Sequence, residues 1–185
     1  MDDSAVAILL NQIRDASSSP DHDIPGLLHE IVAEIWTADW QTRQKLALAL
    51  GDRNDFASQS ALELLAVNDP EWRVRETAIK AIAEAISGNL TGLLISIAMN
   101  DPHPAPAEQA VKSLGELALA RIGRVPLLHE RRVSVRVRGI PREFISPYGL
   151  SESAAEDLLP IIEQMAATHT DPTVRNTARA LLSRL

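Results

Sequence analysis

The segment from Asp69 to Ala85 constrains the fold more than any other part of the chain. It reads Asp69, Pro70, Glu71, Trp72, Arg73, Val74, Arg75, followed by Ala78, Ile79, Ala81 and Ile82 at helical spacing. That is a turn running into an amphipathic helix. Looser copies recur: Thr42, Val74, Pro106 and Val174 occupy equivalent places, separated by 32, 32 and 68 residues, and 68 is two periods of 34. Arg43, Arg75 and Arg175 follow three of them, and Ala107 follows the other. A unit of this length cannot bury its apolar face alone, so the copies must stack on one another.

Taken in order, the pattern predicts an N-terminal helix over 4–16, with Ser4 as N-cap, ending in the linker-like Ser17, Ser18, Ser19, Pro20. Helical hairpins are expected over about 24–51, 56–87, 90–120 and 153–185, all within a single domain spanning 1–185. Asp23 is the expected cap of the first hairpin, and Gly51 and Gly88 are the expected helix stops. The interval 121–152 has room for one more hairpin and does not match the repeat.

The pattern of Asp-Pro, Val-Arg, then Ala and Leu at helical spacing resembles HEAT-like repeats. The best copy is Asp69, Pro70, Val74, Arg75, Ala78, Ala81 and Ile82, and the copy with Asp171, Pro172, Val174, Arg175, Ala178 and Leu181 is nearly as good. The resemblance covers about residues 24–120 and 153–185. It implies an all-α fold, a short right-handed α-α superhelix whose second helices line the concave side, with one irregular insertion that reads as extended chain or a β-hairpin. It also implies a structural role for Asp69, Asp171, Arg43, Arg75 and Arg175 in bonding adjacent repeats.

Composition narrows the function. Aromatics are 3% of the chain while the apolar fraction is 45%, which suits closely packed helices. With no Cys, disulfides, thiolate metal sites and thiol nucleophiles are excluded together. No basic-then-apolar leader and no apolar run of spanning length occurs, so a cytoplasmic protein without a membrane segment is expected. The net charge of −7 is uneven: 8 Lys/Arg against 18 Asp/Glu over 1–120 (net −10), 7 against 1 over 121–142 (net +6), and 3 against 6 over 143–185 (net −3). An acidic body opposes nonspecific duplex binding.

Two surfaces stand out as partner sites. Glu76, Lys80 and Glu84 recur one period on as Glu108, Lys112 and Glu116, an acid, base, acid stripe on two neighbouring helices. Such i, i+4 pairs support a solvated helix by about 0.2–0.5 kcal/mol each, or form a mixed-charge face that selects a partner. The second surface is the basic insertion, with Arg121, Arg124, Arg131, Arg132, Arg136, Arg138 and Arg142 against Glu130 alone. Val133, Val135 and Val137 alternate with polar residues there, a strand period that Gly139 and Pro141 are expected to end, with valines on the solenoid and arginines outward. Arginine forks suit carboxylates and phosphates alike, and intramolecular neutralisation of the acidic repeats is the competing reading. Phe144 and Tyr148 in the Pro/Gly loop read as loop packing or an exposed anchor. Trp36, Trp40 and Trp72 read as turn-side packing or a stacking platform.

Catalytic and metal readings do poorly. His22, His29, His103, His129 and His169 are dispersed, and Asp21, His22 and Asp23 read as loop and cap residues. Neither a phosphate-binding Gly loop nor a Gly-x-Ser-x-Gly elbow occurs. The expectation is a non-enzymatic protein–protein interaction module, an adaptor or assembly factor, without cofactor or metal. It would hold a protein partner, acidic in character, through Arg131, Arg132, Arg136, Arg138 and Arg142 and through Glu76, Lys80, Glu108 and Lys112. The resemblance also extends to HEAT-like bilin lyases and HEAT-like alkyl-base DNA glycosylases, and nucleic-acid binding through the arginine segment is a third class. Leu181, Leu182 and Leu185 suggest a homo-oligomer through the C-terminal helix.

Overall fold

The structure, a computed structural model, describes residues 3–18, 33, 35–53, 55–85, 91–121, 133–137, 140–144 and 158–185. Helix α1 (Asp3–Ser18) precedes a short helical stretch at residues 33 and 35–37. The expected linker at 17–20 falls outside the description beyond Ser18, as do the helix over 24–32 with its Asp23 cap and the Gly88 stop. Helix α2 (Trp40–Gly51) starts where the sequence supplies an acceptor: Asp39 takes the Thr42 N–H at 2.7 Å. Helix α3 (Phe56–Asn68) starts the same way, with Asp55 accepting from Ser58 N at 2.9 Å and from Ser58 Oγ at 2.7 Å. Helices α4 (Trp72–Ala85), α5 (Thr91–Asn100) and α6 (Pro104–Arg121) follow, then strands β1 (Val133–Val137) and β2 (Ile140–Phe144), and finally α7 (Leu158–Thr168) and α8 (Pro172–Leu182).

Helix α3 pairs with α4, α5 with α6 and α7 with α8, while α2, α4, α6 and α8 stack on one another in that order. Helix α1 leans on α2 and α3, pinned by Arg53, whose Nη1 donates to the Leu10 carbonyl at 3.0 Å. Because α6 packs directly on α8, no further repeat separates them, and the chain between α6 and α7 is an insertion into an all-α solenoid.

One apolar core runs the length of the stack, with Leu46, Leu50, Leu62, Ile79, Leu114 and Ile162 fully buried. Each such side chain contributes roughly 1.5–3 kcal/mol of burial. Small residues on the second helices, Ala47, Ala78, Ala110 and Ala178, let these helices approach closely. Gly51 belongs to this set. It is the last residue of α2, so the helix ends where expected, but the cap is Asp52 in right-handed geometry and no left-handed glycine stop is used. A Cβ on Gly51 would lie 2.9 Å from the Ala81 Cβ, and one on Gly115 would lie 2.5 Å from Leu181 Cδ2. Both glycines are there for contact between neighbouring second helices.

The insertion carries an antiparallel hairpin in which Val133 faces Phe144, Val135 faces Arg142 and Val137 faces Ile140. Pro141 does not end the extended run as expected; it sits within β2 opposite Arg136. Antiparallel pairs alternate between bonded and non-bonded. A proline has no N–H to donate, so a place on a non-bonded pair is where it costs the ladder nothing.

The C-terminal leucines also differ from expectation. Leu181 is 5% exposed, and Leu182 and Leu185 are partly buried against the core. The exposed face of α8 carries Asn176, Arg179, Ala180 and Ser183. Of the apolar surface anticipated there for a second subunit, Leu181 is taken up by the core, and Leu182 and Leu185 keep only part of theirs exposed.

Candidate interaction surface

The stack is bolted by arginines that reach from one repeat to the turn of the next. Arg43 Nε and Nη2 donate to Asp69 Oδ2 and Oδ1 at 2.6 and 2.9 Å, and its Nη1 donates to its own turn at the Ala38 carbonyl, 2.6 Å away. Arg75 repeats this on Asp101 at 2.8 Å through Nε and Nη2, and on the Asp69 carbonyl at 2.8 Å. These pairs are buried: the side chains of Arg43 and Asp69 are 8% and 0% exposed, those of Arg75 and Asp101 8% and 5%. Hydrogen bonds donated to the partner carboxylates hold both guanidinium pKa values above normal, against the opposing effect of burial. Each aspartate also receives the N–H two residues on, Glu71 to Asp69 and His103 to Asp101, at 2.9 and 2.8 Å.

Asp171 does not take the place of Asp69 in the last repeat. It lies three residues before the equivalent valine, not five, and caps α8 by accepting from Thr173 N at 2.7 Å and Val174 N at 3.3 Å. Partial desolvation opposes ionisation of this carboxyl, but the Thr173 and Val174 donors outweigh it and its pKa is lowered. The bolt position itself belongs to His169. Its N–H bonds back to the Met165 carbonyl, as those of Asp69 and Asp101 bond to Leu65 and Ile97. Its Nδ1 accepts from Asp171 N at 3.1 Å, and its Nε2 lies 2.9 Å from the Ala98 carbonyl. A carbonyl only accepts, so the ring carries its proton on Nε2. Among the described residues Arg175 binds only its own turn, at the His169 and Thr170 carbonyls.

Where the third repeat has Ala107, the bolt is missing. In its place lies a cleft of about 250 Å³ with Asp101 and Ala107 on one side, His169, Thr170 and Asp171 on the other, and prolines at its rim.

The second helices present the charged stripe. Lys112 Nζ pairs with Glu108 Oε1 at 2.8 Å, and Glu108 Oε1 also accepts from Thr177 Oγ1 on α8 at 3.1 Å. Gln44 and Thr77 make the equivalent contact between α2 and α4 at 3.0 Å. Lys80 is exposed and Glu76 half-buried, without the ion pair that the second copy makes. In register with Lys80 and Lys112, α2 exposes Leu48, 58% accessible. The side chain of Glu84 lies outside the described residues, whereas Glu116 is exposed.

Along the turn edge the tryptophans build a stack that sequence reasoning saw only in part. The Arg73 guanidinium carbon lies 5.3 Å from the Trp40 ring and 4.6 Å from the Trp72 ring, and Trp72 stacks on His103 at 4.3 Å and 7°. Arg73 also pairs with Glu71 at 2.7 Å. Trp36 lies under Arg43, at 5.8 Å. Asp101 and His169 were legible in the sequence, five residues before Pro106 and Val174, but only when the registers are set by the helices and not by the Asp-Pro dipeptides.

Of the insertion residues, Arg136 and Arg142 lie on β1 and β2, where only the backbone is described. Arg131, Arg132, Arg138 and Tyr148, and the packing expected of the valines, lie outside the described residues. Among the described residues no group of three or more His, Asp or Glu could hold a metal, and no helix is long and apolar enough to cross a membrane. Residues 60–88, spanning most of α3 and all of α4, match the family model of the HEAT repeat. Comparisons with curated proteins and with solved structures each return no match.

Proposed function

We propose that this HEAT-like helical repeat protein is a non-enzymatic interaction module, an adaptor or assembly factor built on one domain over 1–185 that holds a protein partner. The observation that carries the proposal is the continuous face of α2, α4 and α6, whose exposed residues, Leu48, Lys80 and Lys112, fall in register. Exposed lysines of this kind steer and select a partner more than they add affinity. The basic insertion is the second proposed contact: a solenoid gains nothing structurally from such an interruption, and its charge of 7 Arg against 1 Glu over 121–142 fits an acidic partner segment.

The test is affinity capture from the native extract with three proteins side by side. These are the wild type, a variant with Arg131, Arg132, Arg136 and Arg138 changed to Ser, and Lys80→Glu/Lys112→Glu. A protein retained by the wild type and lost by either folded variant supports the reading and names the surface. Equal recovery by all three rules out both surfaces, and recovery of pigment or nucleic acid in place of protein overturns the module reading itself.

A further inference from the structure

We infer that the cleft between the third and last repeats is a receptor for an arginine side chain of a partner protein, the ligand standing where the chain's own bolt is missing. This rests on the interaction-module reading and specifies the chemistry of what that module takes.

The stack itself shows what the slot is shaped for. At the two preceding junctions a guanidinium spans from the second helix to the next turn, Arg43 to Asp69 and Arg75 to Asp101, with Nη1 on the carbonyls of its own turn. At the third junction the backbone keeps the same turns, as the matching N–H bonds of Asp69, Asp101 and His169 show. The helix position holds only a methyl, on Ala107. The space is not closed by collapse: about 250 Å³ stays open. The carbonyls that would receive Nη1, by analogy with Asp69 and Pro70 below Arg75, are those of Asp101 and Pro102, and Ala107 reaches neither.

Charge agrees with shape. Asp101 is already shared with Arg75, so among the described residues the cleft carboxylate without an ion pair is that of Asp171, which accepts from the N–H groups of Thr173 and Val174. His169 does not reach into the slot as a bolt, because its Nε2 lies on the Ala98 carbonyl and its Nδ1 accepts from the Asp171 N–H. The slot thus offers a carboxylate and main-chain oxygens and no Lys or Arg among its lining residues, which suits the planar, five-donor fork of arginine better than the compact ammonium of lysine.

The test is amide NMR of the full chain titrated with N-acetyl-arginine amide, with N-acetyl-lysine amide as comparison. Saturable shifts confined to Asp101, Ala107, Thr170 and Asp171, with the lysine compound about tenfold weaker, are expected. They should vanish in Ala107→Arg, which supplies the fork in cis. They should weaken in Asp171→Asn, which keeps the helix cap while removing the charge and so guards against a folding defect in the first variant. Scattered or absent shifts, or equal response to lysine, would overturn the inference while leaving the capture experiment to judge the module reading. Shifts that appear only when Arg131, Arg132, Arg136 and Arg138 are Ser would show the slot filled by the chain's own insertion, and overturn the assignment to a partner.

Discussion

Separating Arg43 from Asp69 should be among the most damaging single changes available outside the apolar core. The pair joins the first two turns across 26 residues with two side-chain bonds of 2.6 and 2.9 Å, and neither side chain is more than 8% exposed. Asp69→Asn keeps the acceptor for the Glu71 N–H but leaves the guanidinium buried without its counter-charge. Arg43→Met fills much of the same volume but leaves the carboxylate buried. Breaking one side of a buried pair costs about 3–5 kcal/mol, and at about 2–4 °C per kcal/mol for a chain of this size the melting temperature should fall by about 6–20 °C. Removing both partners should cost less than the sum of the single changes, with a coupling of about 3 kcal/mol. The pair's net contribution relative to an apolar pair is small, and what is large is the penalty for breaking it. Urea melts followed by circular dichroism and by tryptophan fluorescence measure this directly, since Trp36 lies against Arg43, and coincident transitions would license two-state energies. The exposed pair Arg73 with Glu71, where Arg73 is 47% exposed, is the control, and Glu71→Gln should cost at most about 0.2–1 kcal/mol. Single changes at Arg43 and Asp69 that each cost under about 1 kcal/mol, or that add within about 0.5 kcal/mol, would refute the bolt as described.

Three further outcomes follow from the same geometry. Gly51→Ala should destabilise by about 1–3 kcal/mol through its clash with the Ala81 backbone and Cβ, despite a helix-propensity gain of roughly 1 kcal/mol, whereas Gly115→Ala should cost less because the obstructing atoms are the tip of Leu181; chemical denaturation of the two variants decides it. Ala107→Arg combined with His169→Asp should rebuild the third bolt, with the double variant more stable than the sum of its single changes by about 1–3 kcal/mol in the same melts. The carboxyl of Asp39, lowered chiefly by the Thr42 N–H, and that of Asp171 should both titrate below 3.8 by carbon-detected NMR. Because their folded pKa values are depressed, the stability these caps contribute is fully present above the unfolded value and is lost as pH falls through the folded ones, so α2 and α8 should fray at their N-termini in acid.

Local chemistry made much of the architecture readable before any fold was known. The apolar residues at helical spacing after Asp69 and after Asp171 marked α4 and α8, because residues three and four apart share one face and can be buried together. The spacing of Thr42, Val74, Pro106 and Val174 determined that the helices must stack, since no single copy covers its own apolar face. The valine alternation marked β1, a property of four or five neighbouring residues. What the tertiary structure alone decided depends on positions distant in sequence. Direct packing of α6 on α8 makes the interval after Arg121 an insertion and not a worn repeat. Gly51 ends its helix without a left-handed turn, and its missing side chain serves Ala81, thirty residues away. His169 stands at a bolt position that the conspicuous Asp171 seemed to claim, and the loss of one arginine at Ala107 becomes a cleft only because two turns 68 residues apart are held face to face. A local pattern reports what a residue does for its own turn or helix, whereas close approach and empty space are properties of pairs of elements and exist only once those elements are packed.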